Sequence, residues 1–389
     1  MALARACALA LVLAAAAAAA AADVPPPPPL YARGACPCAS PSLCDPTKFR
    51  ADGTAEVFAF TPDGGSNYAE YDWSRITTLA WVEDDAAMCR AHARGARAVS
   101  RAAVDVQALA DPKADVDRFA LQVASDVYRR FLDGANFDME QPAGANDALA
   151  QNYIRLISRT SEILRTWLGN RTQVSVDVPW APWGVDGRWY DFKRLVDSVD
   201  LAFVMAYDMQ SQVMQGRCIA AANSPYELVR DGLHAWAALA GPDARRKLVL
   251  GLPWYGYHYP CLWIGGATYD ASAPPLCALS SKPFRGVKCS DAAGREVDLA
   301  DIVVAARGAN ATMVRRDGAS RSPAFEIANS AQVWFDDAPA LREKYKLAAD
   351  MGIGGIGMWH ADALHGMSEE ESATVWRSLD VFLKRIDDV

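Results

Sequence analysis

Eight short apolar runs, set apart by amphipathic stretches, constrain this chain more than any other feature of it. They are Glu56 to Phe60, Ile76 to Trp81, Ala96 to Ser100, Gly134 to Glu140, Thr172 to Val178, Leu201 to Tyr207, Lys247 to Leu252 and Gly352 to Trp359. Each has the length and bounds of a buried strand. The stretches between them read as helices. Behind a capping Asp115, residues Val116, Phe119, Val123, Val127 and Phe131 recur at spacings of three or four. From Asp147 to Leu168 the stripe is Leu149, Tyr153, Leu156, Ile157, Leu164 and Trp167, stopped by Gly169, and a third helix is expected over Ala338 to Met351. Strands that alternate with helices form parallel βα units, and eight of them close a barrel. The expected fold is α/β, a (β/α)8 TIM barrel, with an open doubly wound sheet as the alternative. The span from Pro253 to Phe335 is too long for a simple connection. Its aromatic residues, three cysteines and strand-like pieces predict a small α+β insertion, about 253–335, between strands seven and eight.

The ends and the cysteines speak to compartment. Arg5 precedes an Ala- and Leu-rich run to Ala22, and Asp23 leads into Pro25 to Pro29. That layout predicts a secretory signal peptide over 1–22, a proline-rich linker over 23–35 and a barrel over 36–389. Without Cys7 eight cysteines remain, an even number that suits several disulfides in a secreted chain while leaving their pairing open. Cys36 and Cys38 are too close for a usual zinc knuckle, and no metal is expected. Asn170 and Asn310 open glycosylation sequons and should lie on the surface. A net charge of -8 with no basic run excludes a nucleic-acid partner as the first reading. After signal cleavage no run spans a membrane, and a soluble monomer in the secretory pathway is expected.

The segment Asp133 to Glu140 divides its side chains by parity. As a strand, it puts Gly134, Asn136, Asp138 and Glu140 on one face and Ala135, Phe137 and Met139 on the other. Two carboxylates on the polar face of a buried strand are costly unless a site uses them. In a barrel they lie at the C-terminal rim, as do Met205, Tyr207 and Asp208 on strand six, the Trp254 segment after strand seven and Trp359 on strand eight. Carboxylates, a phenol and flat rings around one mouth suit a sugar.

These motifs resemble those of the chitinase-like family 18 glycoside hydrolases. Asp133 to Glu140 is similar to that family's DGxDxDxE signature, Met205 to Asp208 to its MxYD motif, and Trp359 to the tryptophan ending its eighth strand. A closer likeness is to the family's lysosomal, chitobiose-cleaving branch, carried by Tyr71 to Ser74, Gly251 to Tyr257, Cys289 to Arg295, Gln332 to Asp337 and Gly354 to Trp359. The resemblance implies a cofactor-free, retaining glycosidase acting on oligosaccharides that contain N-acetylglucosamine (GlcNAc). In it the sugar's own acetamido oxygen is the nucleophile. Glu140 would be general acid and then base, Asp138 would orient the acetamido group, and Tyr207 would bond its carbonyl. Asn136, Met205, Asp208, Trp254 and Trp359 would contact substrate, with Asp133 as support. The branch likeness implies cleavage of the GlcNAc-β-1,4-GlcNAc bond at the reducing end of free N-glycan-derived chains. Alternatives are an endochitinase acting on polymer and a chitinase-like lectin. One departure is visible: Phe58 and Phe60 stand on the first strand, where many relatives carry a tyrosine.

Overall fold

The computed structural model describes residues 24–28, 33–47, 54–210, 217–265, 273–308 and 310–386. The expected signal peptide, 1–22, lies outside the described residues, as does part of the proline-rich stretch. Eight strands build the barrel: β1 (Glu56–Phe60), β2 (Thr78–Ala80), β3 (Arg97–Arg101), β4 (Gly134–Phe137), β5 (Gln173–Pro179), β6 (Leu201–Met205), β7 (Leu248–Pro253) and β8 (Gly355–Trp359). All pair in parallel, and β8 closes the ring against β1. Strand four stops at Phe137, so Asp138 to Glu140 continue beyond the sheet at its carboxyl end.

Parity organises the packing. On β4, Ala135 and Phe137 face the helix layer with Val174, Val176, Tyr153 and Ile157. On alternate positions Phe58, Phe60, Phe203 and Val249 fill the interior. The Phe203 ring fits only because Gly251 and Gly357 oppose it, since a Cβ at either would lie 2.1 Å or 2.6 Å from that ring. The helices begin and end where local chemistry directs. Asp115 accepts from the Arg118 amide to start Val116–Arg129. Gly169, at φ 76°, ends Ala148–Leu168, and Asp337 caps Ala338–Asp350.

Between β7 and β8 the chain forms a five-stranded antiparallel sheet in the order Arg295–Asp298, Tyr255–Pro260, Ala331–Trp334, Pro323–Ile327 and Arg315–Arg316. The helix Leu299–Ala306 follows its outermost strand and buries Leu299 and Ile302. Four disulfides pair the eight cysteines. Cys36–Cys44 closes a loop within the N-terminal segment, and Cys38–Cys89 holds that segment to the helix Asp85–Ala93. Cys261–Cys277 and Cys218–Cys289 constrain the insertion, the latter tying it to the segment after β6. Among the described residues no helix is long and apolar enough to cross a membrane. Asn170 and Asn310 are both exposed.

Candidate active site

The end of β4 hands its side chains alternately to two environments. Met139 is buried in the core, while Asp138 and Glu140 go the other way, with side chains 13% and 48% exposed. Asn136, one step further down the same face, is wholly buried beneath them. Its amide oxygen accepts from the Trp81 indole at 2.8 Å. Its amide nitrogen donates to Ser175 Oγ at 3.1 Å and to Asp177 Oδ1 at 2.9 Å. The Asn136 side chain therefore positions its neighbours and does not line the cleft, which corrects its expected substrate contact.

Asp177 on β5 extends the acid cluster into the barrel. Burial, then the Asp138 carboxylate, pushes its carboxyl well above the usual range, against the opposing bond from Asn136. Asp138 is pushed up to about 6, mainly by burial and next by Glu140, with Arg101 and Arg188 opposing. Its Oδ1 is buried, and no donor among the described residues reaches it. Glu140 is gripped by the buried Arg188, whose Nη1 donates to Oε2 at 2.9 Å. The two carboxyls thus play unequal parts: the inner one keeps its proton to a higher pH than an ordinary carboxyl, and the outer one is paired with a cation at the rim.

Glu140 borders a cavity of about 420 Å³ that Met205, Tyr207 and Asp208 also line. The Tyr207 phenol stays neutral, its pKa raised by burial and then by Asp177 and Asp208. Asp208, at φ 52°, accepts from the hydroxyls of Tyr255 and Tyr257. Burial first, and Asp291 next, raise its carboxyl to about 8. Trp359 packs against Phe60 at 5.2 Å and edge-on to Trp81 at 4.9 Å, forming an aromatic side of the mouth opposite β5. The ring of Phe60 fills this layer without a hydroxyl.

Two expected residues lie elsewhere. Trp254 is 0% exposed, donates to the Tyr345 hydroxyl at 3.2 Å and packs on Trp376 at 4.7 Å. It belongs to the layer between barrel and helices, so its expected sugar contact is corrected: on β7 the preceding Pro253 ends the strand, and the indole turns outward. Asp133 sits at the other end of β4, accepting from the Thr47 and Ala98 amides and from His92. Burial of that imidazole opposes its protonation, yet Asp133 outweighs it and the pKa rises. This is a structural role. Sequence reading missed Asp177, Arg188 and the cavity's insertion side, where Phe284, Arg285 and Asp291 stand. Asp177 had a visible signal, a single acid in the otherwise apolar and small-residue run from Val174 to Val178.

A closed βα barrel whose carboxyl-end mouth gathers a buried acid of raised pKa, a rim carboxylate, a neutral phenol and aromatic faces has the layout of a glycoside hydrolase. The model of the glycosyl hydrolases family 18 matches residues 106–363, and the chain belongs to that family. It is 34% identical over 358 residues to di-N-acetylchitobiase of Mus musculus, covering 89% of this chain and 93% of that one. It is 32% identical over 360 residues to probable di-N-acetylchitobiase 2 of Dictyostelium discoideum, covering 89% and 90%. A family GH18 chitinase from Cycas revoluta, solved in complex with (GlcNAc)3, superposes with a TM-score of 0.66 at 16% identity. That superposition covers 84% of this chain and 100% of the other and speaks to the fold.

Proposed function

We propose that this chain is a retaining, substrate-assisted glycosidase that hydrolyses the GlcNAc-β-1,4-GlcNAc bond at the reducing end of free N-glycan-derived oligosaccharides. Glu140 protonates the glycosidic oxygen, and the acetamido oxygen of the sugar being cleaved attacks its own anomeric carbon. Holding that group in line is worth on the order of 7 to 11 kcal/mol. Asp138 receives the acetamido N–H and faces the developing positive charge, Tyr207 bonds the carbonyl, and Trp359 underlies the ring. Glu140 then takes a proton from water, which opens the oxazolinium with net retention. The observation that carries this reading is the buried Oδ1 of Asp138 beside Glu140, without a donor among the described residues and so an acceptor open to one at the mouth.

The relatives named above support chitobiose as the bond cleaved, and their coverage of nearly the whole chain supports carrying that assignment across. The four disulfides and the exposed sequons fit a glycoprotein of the secretory pathway, and the reading places it in lysosomes during glycoprotein breakdown. The test incubates wild type and Glu140→Gln with free chito-oligosaccharides and with the same sugars capped as methyl glycosides. Release of one GlcNAc from free chains only, lost in the variant, is the expected result. Equal cleavage of capped chains identifies an endochitinase instead.

A further inference from the structure

The cavity beside Glu140 has a direction. The sugar whose anomeric carbon is attacked keeps its acetamido group at Asp138 and Tyr207 and its ring over Trp359. Trp359 packs on Phe60 of β1 and Trp81 after β2, across the barrel from β5. The leaving sugar must lie beyond the Glu140 carboxyl, toward the wall that Arg188 and the insertion supply. At about 420 Å³ the cavity is near the small end of ligand pockets, roughly 300–1,000 Å³. The outer edge is a tight turn in which the amides and carbonyls of Phe284 and Val287 exchange hydrogen bonds. Part of this space, at Met205 and Tyr207, belongs to the sugar being cleaved, and the remainder toward the insertion suits one leaving sugar.

The acids of that wall differ in what they already hold. Glu140 accepts from Arg188, and Asp186 also accepts from it at 3.4 Å. Asp208 accepts from two tyrosines, and Glu296 is bonded by Tyr257. Among the described residues, Asp291 has only backbone amides of its own turn as donors. Its place is nevertheless rigid. Cys289 is tied to Cys218, Ser290 donates to the Lys282 carbonyl at 2.8 Å, and Gly294 presses on Tyr259, leaving no room for a Cβ. Half-buried, Asp291 is pushed up to about 6, chiefly by burial. In either protonation state a carboxyl oxygen can accept from a hydroxyl.

We propose that Asp291 reads the free reducing end: its carboxyl accepts the hydrogen bond of the anomeric hydroxyl of the leaving GlcNAc, held in a one-sugar pocket closed by the Phe284–Val287 turn. An anomeric hydroxyl is a stronger donor than an ordinary sugar hydroxyl, and a glycoside has none to give. This assignment rests on the reducing-end reading above and names the residue that enforces it.

The experiment measures kcat/KM on (GlcNAc)3 and on its methyl β-glycoside with wild type, Asp291→Ala and Asp291→Asn. One enzyme sample supplies both rates, so a partly unfolded preparation cancels in their ratio. Wild type should prefer the free sugar. The preference should fall about 10- to 100-fold in Asp291→Ala, the loss of one hydrogen bond to a charged group, and less in Asp291→Asn, which keeps an acceptor. A wild type without preference overturns the reducing-end reading itself. A wild-type preference that survives in Asp291→Ala overturns only the role of Asp291. Wild-type inhibition by free GlcNAc and by its methyl β-glycoside gives a measurement independent of any variant. Inhibition at least 10-fold stronger by the free sugar is expected, and equal inhibition counts against the pocket.

Discussion

The two ends of one barrel treat buried charge in opposite ways. At the amino end, Glu56 of β1 accepts from the hydroxyls of Thr77 and Thr78 and from the guanidinium of Arg97, which also bonds Gln173 at the start of β5. All of these side chains are buried. At the carboxyl end, Asp138 keeps a buried oxygen without a donor among the described residues, and Asp177 holds its proton because burial and a second acid oppose ionisation. Where every acid meets a cation or hydroxyl, the buried charge is compensated, and losing one partner is what costs stability. Where acids meet each other, burial raises their carboxyls above the usual range.

That contrast can be broken in four places. Glu140→Gln should show the largest effect, a fall in kcat of about 10² to 10⁴, the usual worth of a general acid, while calorimetry still detects oligosaccharide binding. Substantial residual hydrolysis would remove Glu140 from the mechanism. Arg97→Met at the opposite end leaves Glu56 buried without its cation. It should cost about 3–5 kcal/mol in urea denaturation, as breaking a buried pair does. A loss within error would mean that the amino end is no better compensated than the mouth.

Asp138→Asn should separate stability from activity. The folded pKa of about 6 exceeds the ordinary value of 3.8, so ionisation works against the fold. The penalty is absent below about 4 and fully present above about 6. The variant should therefore lose turnover yet melt above wild type at pH 7, with the gap closing as pH falls from 6 toward 4. Thermal scans at pH 4 and pH 7 decide it, and a wild type that melts higher at pH 7 refutes the raised carboxyl of Asp138. The smallest change expected is in Trp254→Phe, which removes one buried hydrogen bond and should cost about 1 kcal/mol with KM unaltered. A raised KM would return Trp254 to the sugar site.

Much of this was legible without coordinates. The barrel followed from eight runs and the helical stripes between them, because strand and helix periods are local properties. The partition of Asp138 and Glu140 from Met139 followed from parity alone. Parity reaches its limit at Asn136. It assigns the residue to the right face but not to a depth, and depth decides that Asn136 bonds Asp177 instead of substrate. Trp254 failed for a related reason, since it follows a proline-ended strand and its direction depends on the helix layer.

The amino-acid sequence by itself determined which residues repeat at strand and helix spacing, and which acids neighbour one another along β4. The tertiary structure decided who stands opposite them. Asn136 meets Asp177 across 41 residues, and Glu140 meets Arg188 across 48. Asp291 reaches the same cavity from an insertion held by a disulfide that spans 71 residues. Local pattern follows from covalent geometry, which every residue carries. The field around a carboxyl depends on which distant groups are packed against it once water has been expelled.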